Sequence, residues 1–102
     1  MVAAGIPIDE VVLATLCRKY GVARLLLFGS VLRSDFEPRR SDVDVLVEFL
    51  PGAHKSLFKL LEFERDLKHL FGRAVDLNTP GSLSKYFRDD VLAAAEVLYD
   101  AA

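Results

Sequence analysis

The sequence predicts an α/β domain, a small β-sheet covered by helices and built as one unit over residues 1–102. Three observations predict it. Apolar residues recur at helical spacing in three stretches. Short β-rich runs lie between them and end at Gly or Pro-Gly. The chain is 52% hydrophobic and 27% charged, enough apolar mass for one packed core and too much for a disordered chain. Its 102 residues match one ordinary domain, with no room for a second core.

The first helix is predicted from about Asp9 to Tyr20, where Val12, Leu13, Leu16, Cys17 and Tyr20 recur at helical spacing. Asp9 and Glu10 at its start, Arg18 and Lys19 at its end and Gly21 beyond it match the helix dipole and a glycine C-cap. Val22–Phe28 is a buried strand closed by Gly29. Ser30–Ser34 opens a short helix, and Asp35–Ser41, with Pro38, Arg39 and Arg40, is a loop. Val43–Phe49 is a strand with Asp42, Asp44, Leu46 and Glu48 on one face and Val43, Val45, Val47 and Phe49 on the other. Ser56 caps a helix that runs to Phe71, with Leu57, Leu60, Leu61, Leu67, Leu70 and Phe71 as its apolar stripe. Glu64 and Lys68 form an i,i+4 pair on it. Ala74–Asn78 is a third strand, closed by Thr79-Pro80-Gly81. A final helix from about Ser84 to Tyr99 buries Phe87, Val91, Ala95 and Leu98. The pattern leaves parallel, mixed and antiparallel strand arrangements open.

Composition excludes several classes. A net charge of -2 lacks the strongly basic footprint of a nucleic-acid coat, so direct nucleic-acid binding is not expected. Cys17 is the only cysteine, which excludes an intrachain disulfide and a thiolate metal cage. No apolar run approaches the ~20 residues of a membrane helix. Met1–Asp9 lacks the basic and apolar regions of a secretory leader. The expectation is a cytoplasmic protein without a membrane anchor.

The chemistry centres on Asp42-Val43-Asp44. Both carboxylates lie on one strand face, with α-carbons about 6.5–7 Å apart. Same-face acids repel and are costly to desolvate. A divalent cation offsets that cost, and all-oxygen ligation suits Mg2+ or Mn2+ better than Zn2+. The plain alternative is a solvated edge strand. Phe28-Gly29-Ser30 joins a strand to a helix start, where free N–H groups and the Ser30 hydroxyl suit a phosphate. Arg33, one turn on, can face the same anion. The turn lacks the Gly-Lys-Ser/Thr of a P-loop, so Walker-type chemistry is not supported. Asp76, mid-strand in Ala74-Val75-Asp76-Leu77, is a third acid for the same metal site. His54 and His69 have no zinc spacing and read as surface histidines. Lys55, Arg39 and Arg40 read as solvated, and Cys17 as buried and inert.

Together, Gly29-Ser30, Arg33, Ser41-Asp42-Val43-Asp44 and Val75-Asp76-Leu77 followed by Thr79-Pro80 resemble the signature of the minimal nucleotidyltransferases of the DNA polymerase beta superfamily. The resemblance also covers the leading helix, Leu25-Leu26-Leu27-Phe28 and the terminal Val91–Tyr99 segment. It implies a nucleotidyltransferase palm-like core with a small mixed sheet. It implies that Gly29, Ser30 and Arg33 bind a nucleoside triphosphate, that Asp42 and Asp44 ligate two Mg2+ ions, and that Asp76 completes the catalytic and metal-binding carboxylates. The activity implied is transfer of a nucleoside monophosphate, usually AMP from ATP, to a hydroxyl acceptor. The partner implied is a HEPN-domain protein, the toxin of a pair in which this chain is the antitoxin, so a homo- or hetero-oligomer fits. One departure is that Val31 through Ser41 make eleven residues, one more than the family's usual spacing. A surface loop absorbs one residue at little cost. The rival readings are a non-catalytic module that inhibits its partner by steric contact and a structural oligomeric domain with solvated aspartates.

Overall fold

The computed structural model describes residues 1–3, 5–29, 43–53, 56–86 and 88–101. In chain order these form strands β1 (Val2–Ala3) and β2 (Ile6–Pro7), helix α1 (Glu10–Tyr20), strands β3 (Val22–Phe28) and β4 (Val43–Phe49), helix α2 (Leu57–Phe71), strand β5 (Val75–Asn78), a 3-10 turn (Pro80–Ser82), helix α3 (Arg88–Ala94) and strand β6 (Glu96–Asp100). The main sheet runs β5-β4-β3-β6. β4 and β5 are parallel, while β3 is antiparallel to both β4 and β6, so the sheet is mixed. A parallel pair needs a crossover of a dozen residues or more, which the 15-residue α2 supplies.

Helix ends follow their caps. The Asp9 carboxylate accepts from the backbone N–H groups of Val11 at 3.0 Å and Val12 at 3.2 Å, and Gly21 ends α1 at φ 70°. The Ser56 hydroxyl accepts from Lys59 N–H at 3.1 Å, and the Gly72 N–H donates to the Lys68 carbonyl at 2.9 Å. Lys68 and Glu64 pair at 3.2 Å along α2.

The core lies between one sheet face and the two long helices. Leu25 and Leu27 of β3, Val43, Val45 and Val47 of β4 and Val75 of β5 meet Leu13, Cys17 and Tyr20 of α1 and Phe63, Leu67 and Phe71 of α2. Ala3, Ile6 and Ile8 of the amino-terminal hairpin join this core, and the Met1 amine donates to the Ile8 carbonyl at 2.9 Å. Leu26 and Leu46 on the opposite face are also buried, apart from that cluster. α3 packs on β3, and the Pro80–Ser82 turn packs on β4.

Three expectations need correction. The final helix does not reach Tyr99: it stops at Ala94, and Glu96–Asp100 becomes β6, antiparallel to β3. The far edge of β3 would otherwise present unpaired N–H and C=O groups, and β6 satisfies them. Leu98 is buried in either period, so spacing could not separate the two. Leu57 and Leu61 are exposed rather than core, while Phe63 takes the buried position on α2. Val12 on α1 is likewise exposed. The short helix expected at Ser30–Ser34, the loop Asp35–Ser41 and the Phe87 side chain lie outside the described residues.

Burial pushes the Cys17 thiol up to about 12 from an ordinary 9.0. Burial, then the 2.6 Å hydrogen bond its hydroxyl donates to Asp66, raises Tyr20 as well. Both groups lose their protons at lower pH in the unfolded chain. The stability held below about pH 9 therefore drains as pH rises towards 12, at up to about 1.4 kcal/mol per pH unit for the thiol. Urea unfolding at a series of pH values above neutral is expected to show this fall, and Cys17→Ala to make it shallower.

Candidate active site

β4 and β5 enter the sheet side by side. Their register pairs Val43 with Val75, Asp44 with Asp76, Val45 with Leu77 and Leu46 with Asn78. The valines and Leu77 turn into the helix-covered core, so alternation places Asp44 and Asp76 together on the other face. Adjacent strands lie about 4.8 Å apart, which makes the two acids immediate neighbours. Asp44 is half-buried and Asp76 exposed. On its other side Asp44 pairs with Phe28, the last residue of β3.

Gly29 follows Phe28 at φ +73°, a backbone conformation that L side chains rarely adopt. A Cβ built there would collide with Asp44 Oδ2 and come 3.2 Å from its Cγ. The end of β3 therefore rests against the Asp44 carboxylate, and this contact requires glycine. Gly29→Ala is expected to cost about 1–2 kcal/mol from the strained φ alone. It also has to displace the Asp44 carboxylate, so activity should fall further than the thermal midpoint indicates. Parallel melting and turnover measurements check this.

Of the residues singled out from sequence, the structure brings Gly29, Asp44 and Asp76 together. Ser30, Arg33 and Asp42 lie outside the described residues, as do His54 and Lys55. Among the described residues no three His, Cys, Asp or Glu side chains gather as a metal cluster, and the acids present are a pair. That pair fits a hard divalent cation: it is all-oxygen, and two neighbouring carboxylates gain from the positive charge that relieves their repulsion.

Sequence reasoning passed over Arg73. It lies at the amino end of β5, beside Ala74, whose carbonyl accepts from Val43 N–H at 3.0 Å. Its Nε and Nη1 are shielded from water with no hydrogen-bond partner among the described residues. Desolvated guanidinium donors are costly when unmet, and an anion would satisfy them. The available signal was a basic residue three positions before Asp76. Cys17 is buried as expected, and His69 is exposed on α2.

Residues 10–98 match the model of the nucleotidyltransferase domain family. The chain belongs to that family. This nucleotidyltransferase is 39% identical over 83 residues to the protein adenylyltransferase MntA of Thermococcus cleftensis, covering 79% of this chain and 77% of that one. It superposes on a structure provisionally described as a minimal nucleotidyltransferase with a TM-score of 0.68 and 34% identity, over 86% of this chain and 84% of the other. It shares its fold with a complex of tri-AMPylated Shewanella oneidensis HEPN toxin and MNT antitoxin, at a TM-score of 0.61 and 21% identity, over 90% of this chain and 70% of that one. Among the described residues no helix of this nucleotidyltransferase is long and apolar enough to cross a membrane.

Proposed function

We propose that this nucleotidyltransferase transfers AMP from ATP to a hydroxyl of a HEPN-domain partner protein and acts as the antitoxin of that pair. The observation that carries the proposal is the register of Asp44 against Asp76 beside the Gly29 contact. The Thermococcus relative is a protein adenylyltransferase, and the Shewanella complex holds an AMPylated HEPN toxin with its MNT antitoxin. Both support the choice of AMP and of a protein acceptor.

Asp44 and Asp76, with Asp42, would hold Mg2+, two ions on the family pattern; Mn2+ suits the same oxygen set. Bound there, the metal would supply charge neutralisation for the triphosphate and acidify the acceptor hydroxyl. Gly29, Ser30 and Arg33 bind the triphosphate, and the orphaned donors of Arg73 add a cation near the same strand ends. In the transfer the acceptor oxygen bonds to the α-phosphorus. The bond from that phosphorus to the leaving pyrophosphate breaks, and the hydroxyl proton passes to Asp76. Positioning and charge compensation carry the rate.

Calorimetry with ATP, with and without Mg2+, tests the site. Metal-dependent binding is expected. Transfer of labelled AMP to a co-expressed HEPN-domain neighbour then separates an enzyme from a steric inhibitor, which would bind the neighbour and leave it unlabelled.

A further inference from the structure

The exposed residues of α2 are Leu57, Phe58, Lys59, Leu61, Arg65, Lys68 and His69. Not one is acidic, in a chain whose net charge is -2. The three acids of the helix, Glu62, Glu64 and Asp66, are half-buried. Two of them are already engaged, Glu64 by Lys68 at 3.2 Å and Asp66 by the Tyr20 hydroxyl at 2.6 Å. The apolar members are large and open to solvent: Leu57 is 69% exposed, Phe58 79% and Leu61 52%. An isolated exposed leucine is ordinary, but a cluster of this size on one helix end needs a partner.

The cluster borders a cleft of about 610 Å³ between the amino end of α2, the carboxyl end of β4 and the turn after β5. Val47, Phe49, Leu57, Leu60 and Pro80 give it apolar walls. Glu48, the acid that lines it, is held by the Arg24 guanidinium. Leu57 belongs to both the cleft and the exposed helix face and joins the two, while Lys59 lines the cleft from its other side. The cleft lies at the opposite ends of β4 and β5 from Asp44 and Asp76.

We infer that this surface docks an amphipathic helix of the acceptor protein, one with large apolar anchors and acidic flanks. The inference rests on the proposed function, in which the acceptor is a protein. Apolar anchors at i, i+3/i+4 and i+7 fill a groove of this kind. Acidic flanks complement Lys59 and Arg65, and like-charged flanks are repelled. A nucleic acid would use the basic residues and leave the apolar cleft empty. A membrane surface would cover the leucines and make no use of the concavity.

The intact chain is titrated with a synthetic amphipathic helix about 18 residues long carrying Leu anchors and Glu flanks, and with its Lys-flanked counterpart. The Glu form is expected to bind at least about tenfold tighter, with a preference that shrinks as salt is added. Phe58→Ser and Arg65→Glu should each remove most of that binding. Both positions are exposed, so melting temperature and ATP binding should stay at wild-type values. Equal binding of the two helices, or no binding of either, overturns the inference. So does binding of vesicles with about 30% phosphatidylserine, or of a DNA duplex, in place of the peptide. Failure of wild-type chain to bind ATP would instead defeat the proposed function, a result that peptide binding does not affect.

Discussion

Asp44→Asn is expected to lower AMP transfer by about a thousandfold or more, a magnitude ordinary for removing a group that stabilises charge in a transition state. Asp44 sits where three features meet: its register partner Asp76, the end of β3 at Phe28 and the Gly29 backbone. The amide keeps the shape and removes the charge, so on the proposed role a cation would lose one of its hard ligands. Asp76→Asn should cost a similar factor. Asp76 is exposed, so Asp76→Asn should leave the thermal midpoint near its wild-type value. A site that loses rate while the fold keeps its stability is the usual mark of a functional rather than structural group. Initial rates with labelled ATP, read beside thermal melts of the same samples, decide it. An Asp44→Asn enzyme that retains full rate would remove this pair from the chemistry.

Phe63→Ala should have the largest effect on stability, about 3–5 kcal/mol. Phe63 is fully buried on α2, and its ring centroid lies 5.0 Å from that of Tyr20 at an interplanar angle of 44°. It is the side chain that joins α2 to α1 above the strands. Removing it opens a cavity that the β4 and β5 valines are too short to fill, since they are fixed by the sheet. Domains of this size hold about 5–15 kcal/mol in total, so the variant would lie near the unfolding threshold. Urea denaturation measures the loss. A cost under about 1 kcal/mol would show that the core collapses around the gap.

The helices and central strands were legible because their local signals agree. Asp9 and Ser56 cap α1 and α2, Gly21 and Gly72 end them, and Val43–Phe49 alternates inward and outward as the pleat requires. The carboxylate pair was legible for the same reason: acids at positions where a strand turns away from its covered face stand out against an apolar pattern. Two features were not legible. Val97-Leu98-Tyr99 satisfies helical and strand periods alike, and what decides between them is the open edge of β3, a partner distant in sequence. Leu57 and Leu61 extend an apolar stripe that the fold has no room to cover, because Phe63, Leu67 and Phe71 already occupy the core side of α2. A periodic stripe does not reveal which of its members meets the core and which is left for another molecule.

The side-by-side entry of β4 and β5 makes chain spacing between Phe71 and Val75 a determinant of activity. A single residue inserted or deleted in Gly72-Arg73-Ala74 would shift β5 by one step, turn the acid at 76 inward beneath the helices and bring an aliphatic side chain to the reacting surface. That connection should therefore tolerate changes of residue type at the exposed Ala74 far better than changes of length, and length-altered variants should lose activity and stability together, because a carboxylate turned into the core is costly to desolvate.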